Sequence, residues 1–418
     1  MVDAFPANAG EGGPMTTIPR IRINGPLVPF VGRVWSHLLA QGYTPRSSKN
    51  LLRLVSHLSR WLVDAGLRLS DLTRERIEAF FGDRRQAGYK NHLTARSLRP
   101  ILRYLEAEGV VSIPEVLVTR TTVDELLDDY EHFLLKERGL QVSTTRYYRQ
   151  YAEKFLSHRF GGNCLELGCL GADDITTFIL HESKTSSVGT TKLVVTAVRS
   201  LLRFLHLRGD LQSELVGAVP AVAGWRQAGV PKFISPREVR LLLNSCDRRR
   251  HVGRRDFAIL LLLVRLGLRS CEVAALQLDD IDWRAGELIL HGKGHSDGRL
   301  PLPSDVGQAI AGYLKRGRPS SLSESRAVFL TSRAPYRYLS GGRVTTIVAV
   351  ASARAGLRRI SGHRLRHTAA TQMLRHGTSL TEVALVLRHR SVDTTAIYAK
   401  VDHSTLRELA PPWPGGDA

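Results

Sequence analysis

A mainly α architecture is what this 418-residue sequence predicts: two helical bundles, then a larger domain that is mostly helical with a small antiparallel sheet. Three observations carry that expectation. Amphipathic helical periodicity runs through most of the chain, with hydroxyl N-caps and glycine stops at segment ends. One block of helix signals occurs twice in the same order. Strand signals are confined to "GELILHGKGHSDGRLPLP" (286–303), where two short runs flank a glycine-rich turn.

Composition bounds the function. The chain is too long for one ordinary core, so two or three domains are expected. A hydrophobic fraction of 43% suits a folded soluble protein. The net charge is +20, from 59 Lys+Arg against 39 Asp+Glu, which points to a polyanionic partner, nucleic acid foremost. The plainer reading is a basic surface serving solubility or assembly. The opening "MVDAFPANAGEGGPMTT" has no basic patch followed by an apolar core, so residues 1–20 read as a flexible tail and not a secretory leader. The longest apolar run, "FAILLLLV" (257–264), stops at Arg265, far short of a membrane span. Cys164, Cys169, Cys246 and Cys271 form no CxxC pair and suit thiols in a reducing cytoplasm. A cytoplasmic protein without a membrane partner is expected.

The first bundle is expected over 21–113 and the second over 123–212. In the first, "LLAQGYTPRSSKNLLRLVSHLSRWL" is a helix end, a glycine turn, a hydroxyl cap and a second amphipathic helix; "LLKERGLQVSTTRYYRQYAEKFL" repeats that order in the second. "LTRERIEAFF" then aligns with "LGADDITTFI", setting Ile77 against Ile175 and Phe80 against Phe178. "ILRYLEAEGVV" aligns with "LLRFLHLRGDL", setting Arg103 against Arg203 and Gly109 against Gly209. Each copy reads as about four short helices ending at a glycine cap. Chance similarity between amphipathic helices is the alternative; three matched blocks in one order favour duplication. A linker follows over 213–231, where "VGAVPAVAGWRQAGVP" carries one charge, Arg226.

The third segment spans 232–403, with a tail over 404–418. "FISPREVRLLL" opens it with Ser235 as N-cap, Pro236 at the first helical position and Glu238 three after the cap. "GRRDFAILLLLVRLGLRSCEVAALQLDDIDW" reads as two helices about a turn at Gly267, the first apolar enough to be buried. Asp279, Asp280 and Asp282 read as a helix cap or turn, not a metal cluster. From Gly341 the pattern is helical again.

Four features of this segment bear on chemistry. Arg269 follows the buried helix and has Glu272 beside it; alone it is a surface arginine or a Glu partner, yet one held rigidly grips a phosphate. In "SGHRLRHTAATQML", His363 and Arg366 share a helical face. His363 and His367 have zinc-pair spacing, but no Glu completes an HExxH and no third ligand follows, so an anion site is the better reading. Lys293 sits between glycines at the hairpin tip, either solvated or free to swing into a site. "LRHRSVDTTAIYAKV" (387–401) holds His389 nine residues before Tyr398, an ordinary packing tyrosine if read alone.

Together, "GLRSCEVAALQLDDID", "HGKGHSDGRLPLP", "HRLRHTAATQML" and "LRHRSVDTTAIYAKV" stand in the order and spacing of one family. From about Phe233 to Lys400 the chain resembles the tyrosine recombinase (phage integrase) family. Less specifically, the bundles resemble that family's helical core-binding (SAM-like) domain and an additional helical N-domain. The resemblance implies a mixed α/β catalytic domain and a site-specific DNA recombinase acting through a covalent 3′-phosphotyrosine. It implies Tyr398 as nucleophile, with Arg269, Lys293, His363, Arg366 and His389 around the phosphate, and no cofactor or metal. The partner it implies is double-stranded DNA bound by a homotetramer, with related recombinases of the same element a further option. Arg248, Arg249, Arg250, Arg254, Arg255, Arg354, Arg358 and Arg359 are candidate phosphate contacts, or a solvated basic face. Arg388 and Arg390 depart from the family pattern, which has a small residue before the histidine, and join those candidates. Two alternatives stay open: a type IB topoisomerase-like enzyme and a catalytically silent DNA-binding accessory protein.

Overall fold

The computed structural model describes residues 21–112, 121–161, 165–223, 232–291, 298–319, 325–388, 395 and 397–401. The chain divides into two compact units, Pro114–Ala228 and the pair Met1–Ile113 with Gly229–Ala418. None of the described helices is long and apolar enough to cross a membrane.

The first bundle holds α1 (Val31–Ala40), α2 (Pro45–Asp64), α3 (Arg74–Gln86) and α4 (Ala95–Ala107). Thr44 caps α2 by accepting from the Ser47 amide, and Pro45 begins the helix where no amide partner is needed. The seam Leu51, Leu54, Val55, Leu58 and Leu62 faces a core that includes Ile77 and Phe80. The second bundle holds α5 (Thr122–His132), which continues through a π-helical turn (Phe133–Glu137), α6 (Val142–Phe160), α7 (Ala172–Thr185) and α8 (Val188–Arg208). Its core includes Ile175 and Phe178, and the last helix of each bundle is followed by a left-handed glycine, Gly109 or Gly209. The bundles differ in charge. Residues 21–112 carry 15 Lys and Arg against 7 Asp and Glu, whereas 121–223 carry 11 against 13, so of the two bundles only the first is basic.

The third segment is built around α10. Ser235 and Glu238 form the reciprocal cap of α9 (Pro236–Asn244), as the sequence predicts. In α10 (His251–Arg265), Ala258, Ile259, Leu260, Leu262 and Leu263 are fully buried, each larger side chain contributing on the order of 2 kcal/mol. Gly267, at φ +61, turns the chain into α11 (Ser270–Ala275). The sheet follows, with β1 (Ile281–Asp282), β2 (Glu287–Leu290) and β3 (Gly298–Pro301) antiparallel in that order. Leu288 pairs with Leu300 and Leu290 with Gly298, which turns the buried leucines inward and Arg299 outward. The aspartates close this region: Asp280 accepts from the Gln277 amide, Asp282 from those of Arg284 and Ala285, and Asp279 pairs with Arg326. Then come α12 (Ser304–Arg316), α13 (Gly341–Arg354), α14 (Gly362–Arg375), α15 (Leu380–Leu387) and a 3-10 turn at Ile397–Val401. β1 is one strand more than the two runs the sequence predicts.

Candidate active site

Two helix starts build the site. Arg269 is the residue before α11, and Glu272 three positions on accepts from both the Arg269 amide (2.8 Å) and its Nη1 (2.7 Å). One carboxylate therefore fixes backbone and guanidinium together, while the Arg269 side chain stays 41% exposed. Ser361 caps α14 and sends His363 and Arg366 out from its first turns. Arg366 is only 3% exposed and donates through Nη1 to the Gly267 carbonyl (2.7 Å) and through Nη2 to that of Leu387. Burial first, then Arg269, pushes its pKa down to about 10, which leaves it charged at neutral pH.

Arg269, Ser270, Thr345, Ser361, His363 and Arg366 line one cavity of about 210 Å³. Among the described residues its wall has two guanidiniums, three hydroxyls, one imidazole and no carboxylate, the chemistry of an anion site. Desolvation, then Arg366 and Arg269, lowers the His363 pKa, so its neutral, proton-accepting form is favoured.

Tyr398 is 1% exposed and packs with Ala370, Leu374, Val383 and Leu387. Burial pushes its pKa up to about 12, with Arg366 pulling the other way. The imidazole beside it is His367, tilted at 60° to the phenol ring with 5.4 Å between ring centroids, and His363 lies edge-on to His367 at 4.5 Å. The sequence singled out His367 only as half of a metal pair; the i, i+4 step that raised that idea is what places it between His363 and Tyr398. Desolvation, then His363 and Arg366, lowers the His367 pKa to about 4, and its Nδ1 is buried without a hydrogen-bond partner among the described residues.

That shift has a consequence for stability. A histidine held neutral in the fold, but with an ordinary pKa near 6.5 when unfolded, stabilises fully above pH 6.5 and loses that stabilisation as pH falls towards 4. The melting midpoint is expected to drop over this window and to drop less in His367→Gln. Parallel midpoint-against-pH curves for the two proteins would contradict the assignment.

The candidate phosphate contacts divide. Arg255 differs from the expectation: it is 7% exposed, pairs with Asp256 (2.8 Å) and donates to the Leu330 carbonyl (3.0 Å), so it is a core ion pair and not part of an exposed basic face. Arg354 stands 3.6 Å from the same Asp256 and is 38% exposed. Arg248, Arg249 and Arg254 line a larger cavity of about 960 Å³ over α9, α10 and α12, together with Arg240, Arg265 and Arg316. Its wall also carries Cys246, Asp247 and Asp305, and none of Arg269, His363, Arg366 or Tyr398. Arg250, Arg358 and Arg359 are exposed. Arg388 is bound to Glu272 (2.7 Å) and to the Leu290 carbonyl (3.4 Å). Lys293, His389 and Arg390 lie outside the described residues, as do linker residues 224–231 and the 1–20 and 404–418 tails.

Residues 232–405 match the model of the phage integrase family. An integrase/recombinase of Sinorhizobium fredii is 40% identical over 395 residues, covering 94% of this chain and 95% of that protein. The tyrosine recombinase XerD of Mycobacterium tuberculosis is 31% identical over 311 residues, 69% of this chain and 96% of that one. Among solved structures, a XerH site-specific recombinase bound to palindromic difH substrate aligns with TM-score 0.54 and 19% identity, over 82% of this chain and 98% of its own; that likeness concerns the fold.

Proposed function

The chain belongs to the tyrosine recombinase, or phage integrase, family, and from that premise we propose that it cuts and rejoins DNA through a covalent 3′-phosphotyrosine on Tyr398. The observation that supports the reading best is the 210 Å³ cavity, which gathers Arg269, His363 and Arg366 from two distant sequence blocks. In the proposed step the Tyr398 oxygen attacks phosphorus, its proton passes to His363, and the bond from phosphorus to the 5′ oxygen breaks. Lys293 protonates that leaving oxygen. Arg269 and Arg366 hold the non-bridging oxygens, and His389 adds a donor. Reversal by the 5′ hydroxyl of another strand exchanges partners with the bond energy conserved, so no nucleotide cofactor is needed. Tyr398 has to leave its buried pocket, and the arginines have to exchange carbonyl partners for phosphate oxygens, which makes DNA engagement part of activation.

The clamp around the duplex is assigned to Arg248, Arg249, Arg250, Arg254, Arg354, Arg358 and Arg359, with the basic first bundle opposite. The acting unit is a homotetramer on two duplexes, alone or with related recombinases of one mobile element, in integration or transposition. Because guanidiniums supply the charge clamp, cleavage is expected to be complete in excess chelator; loss of cleavage on chelation would overturn a metal-free mechanism. The function itself is tested by supplying two target sites on separate duplexes. Recombinant products are expected, while supercoil relaxation without them would assign a lone nicking-closing enzyme of the topoisomerase type.

A further inference from the structure

Arg388 is one of two non-glycine residues at positive φ among the described residues, the other being His92. At φ +53 and ψ +54 it ends α15 in the left-handed conformation, where glycine is the unstrained choice. Its backbone explains the turn. Left-handed geometry presents consecutive carbonyls to the site, that of Leu387 to Arg366 and that of Arg388 to Arg269 Nη2 (3.3 Å). Glycine would do this equally well, so the arginine side chain needs its own reason.

The side chain has one. Its Nη2 lies 2.7 Å from Glu272 Oε2 as an ion pair, outside hydrogen-bond geometry, while Arg269 Nη1 donates to Oε1, so a single carboxylate sits between two guanidiniums. Nη1 donates to the Leu290 carbonyl at the end of β2 (3.4 Å). Across the ladder, Gly298 at the start of β3 lies so close that a Cβ there would stand 2.9 Å from Arg388 Cδ. The side chain is 18% exposed. Its position is thus defined by Glu272, by Leu290 and by contact with Gly298.

We propose that the Arg388 side chain is a positioning residue: a strut that closes the second face of Glu272, thereby fixing Arg269, and fastens the Leu290–Gly298 end of the β2–β3 ladder to the phosphate site. It acts through other residues and makes no contact with DNA phosphate. The proposal rests on the catalytic reading given above, and Arg388→Gly isolates it, because glycine keeps the left-handed turn and both carbonyl contacts.

The experiment compares the full-length wild type, Arg388→Gly and Arg388→Lys in single-turnover cleavage of a nicked target duplex, in DNA affinity across a salt series, and in thermal melting. For Arg388→Gly the cleavage rate is expected to fall roughly tenfold or more, with affinity and its salt dependence unchanged and the melting midpoint equal or raised. Lysine, with one ammonium for two acceptors, is expected to restore part of the rate while melting below the glycine variant. A rate within about twofold of wild type overturns the strut. A salt slope reduced by about 0.9, the value for one lost phosphate contact, overturns it in favour of direct DNA binding. A melting midpoint that falls together with the rate reduces Arg388 to a structural residue. Wild-type protein that cleaves nothing sinks the catalytic reading itself, which a normal wild type with an unaffected glycine variant does not.

Discussion

Arg366→Ala is expected to slow strand cleavage by more than about a hundredfold and to destabilise the catalytic domain as well. The rate loss follows from removing a fixed guanidinium from the charge that builds on phosphate, about 3 kcal/mol by analogy with other preorganised donors. The stability loss has a separate origin. Arg366 is 3% exposed and satisfies the Gly267 and Leu387 carbonyls, so truncation strands buried acceptors at roughly 1–3 kcal/mol each. Arg366→Lys separates the two effects: it keeps a charge and can reach one carbonyl, but it cannot present a planar fork. It should recover much of the melting midpoint and little of the rate. Recovery of rate in step with stability would mean that Arg366 is a core strut and not a phosphate ligand.

Tyr398→Phe should abolish cleavage and leave the fold nearly untouched. The ring stays among Ala370, Leu374, Val383 and Leu387, and only the hydroxyl is lost, so the stability change should stay within about 1.5 kcal/mol. With a pKa of about 12, the phenol of the buried state is ionised in only about one molecule in a hundred thousand at pH 7. In the proposed mechanism, attack therefore requires relocation beside Arg269, Arg366 and a proton acceptor. His363, held below its ordinary pKa, remains a neutral acceptor to lower pH than a free histidine would. DNA binding by the Phe variant should match wild type, as a gel-shift titration would show. Residual cleavage by that variant would move the nucleophile elsewhere.

The sequence made the centre legible where local rules and function coincide. Ser235–Glu238 announces a helix start, Gly267 announces a turn, and the blocks holding Arg269 and His363–Arg366 keep the family's spacing, so their convergence in one cavity needed only the fold. Burial was the less legible quantity. In "DRRRHVGRR" nothing local distinguishes Arg255, folded onto Asp256, from its exposed neighbours, because helical phase alone decides which arginine points inward. Arg388 was visible as a departure but not as a left-handed cap bound to Glu272, since a residue's φ follows from where the chain must go next. His367 was weighed only as half of a metal pair, an idea the missing Glu and third ligand argued against; its ring neighbour Tyr398 lies thirty-one residues downstream, beyond the reach of any local pattern. β1 was missed because two residues of "DDID" form a strand only when β2 lies alongside.

The most direct measurement of the central claim is the chemical identity of the protein–DNA linkage. Wild-type protein is incubated with a nicked target duplex in excess chelator, the adduct is digested, and the modified peptide is sequenced by mass spectrometry. A 3′-phosphate esterified to Tyr398, with a free 5′ hydroxyl on the released strand, is the predicted result. A 5′ linkage, attachment at any other residue, or cleavage without attachment would contradict it.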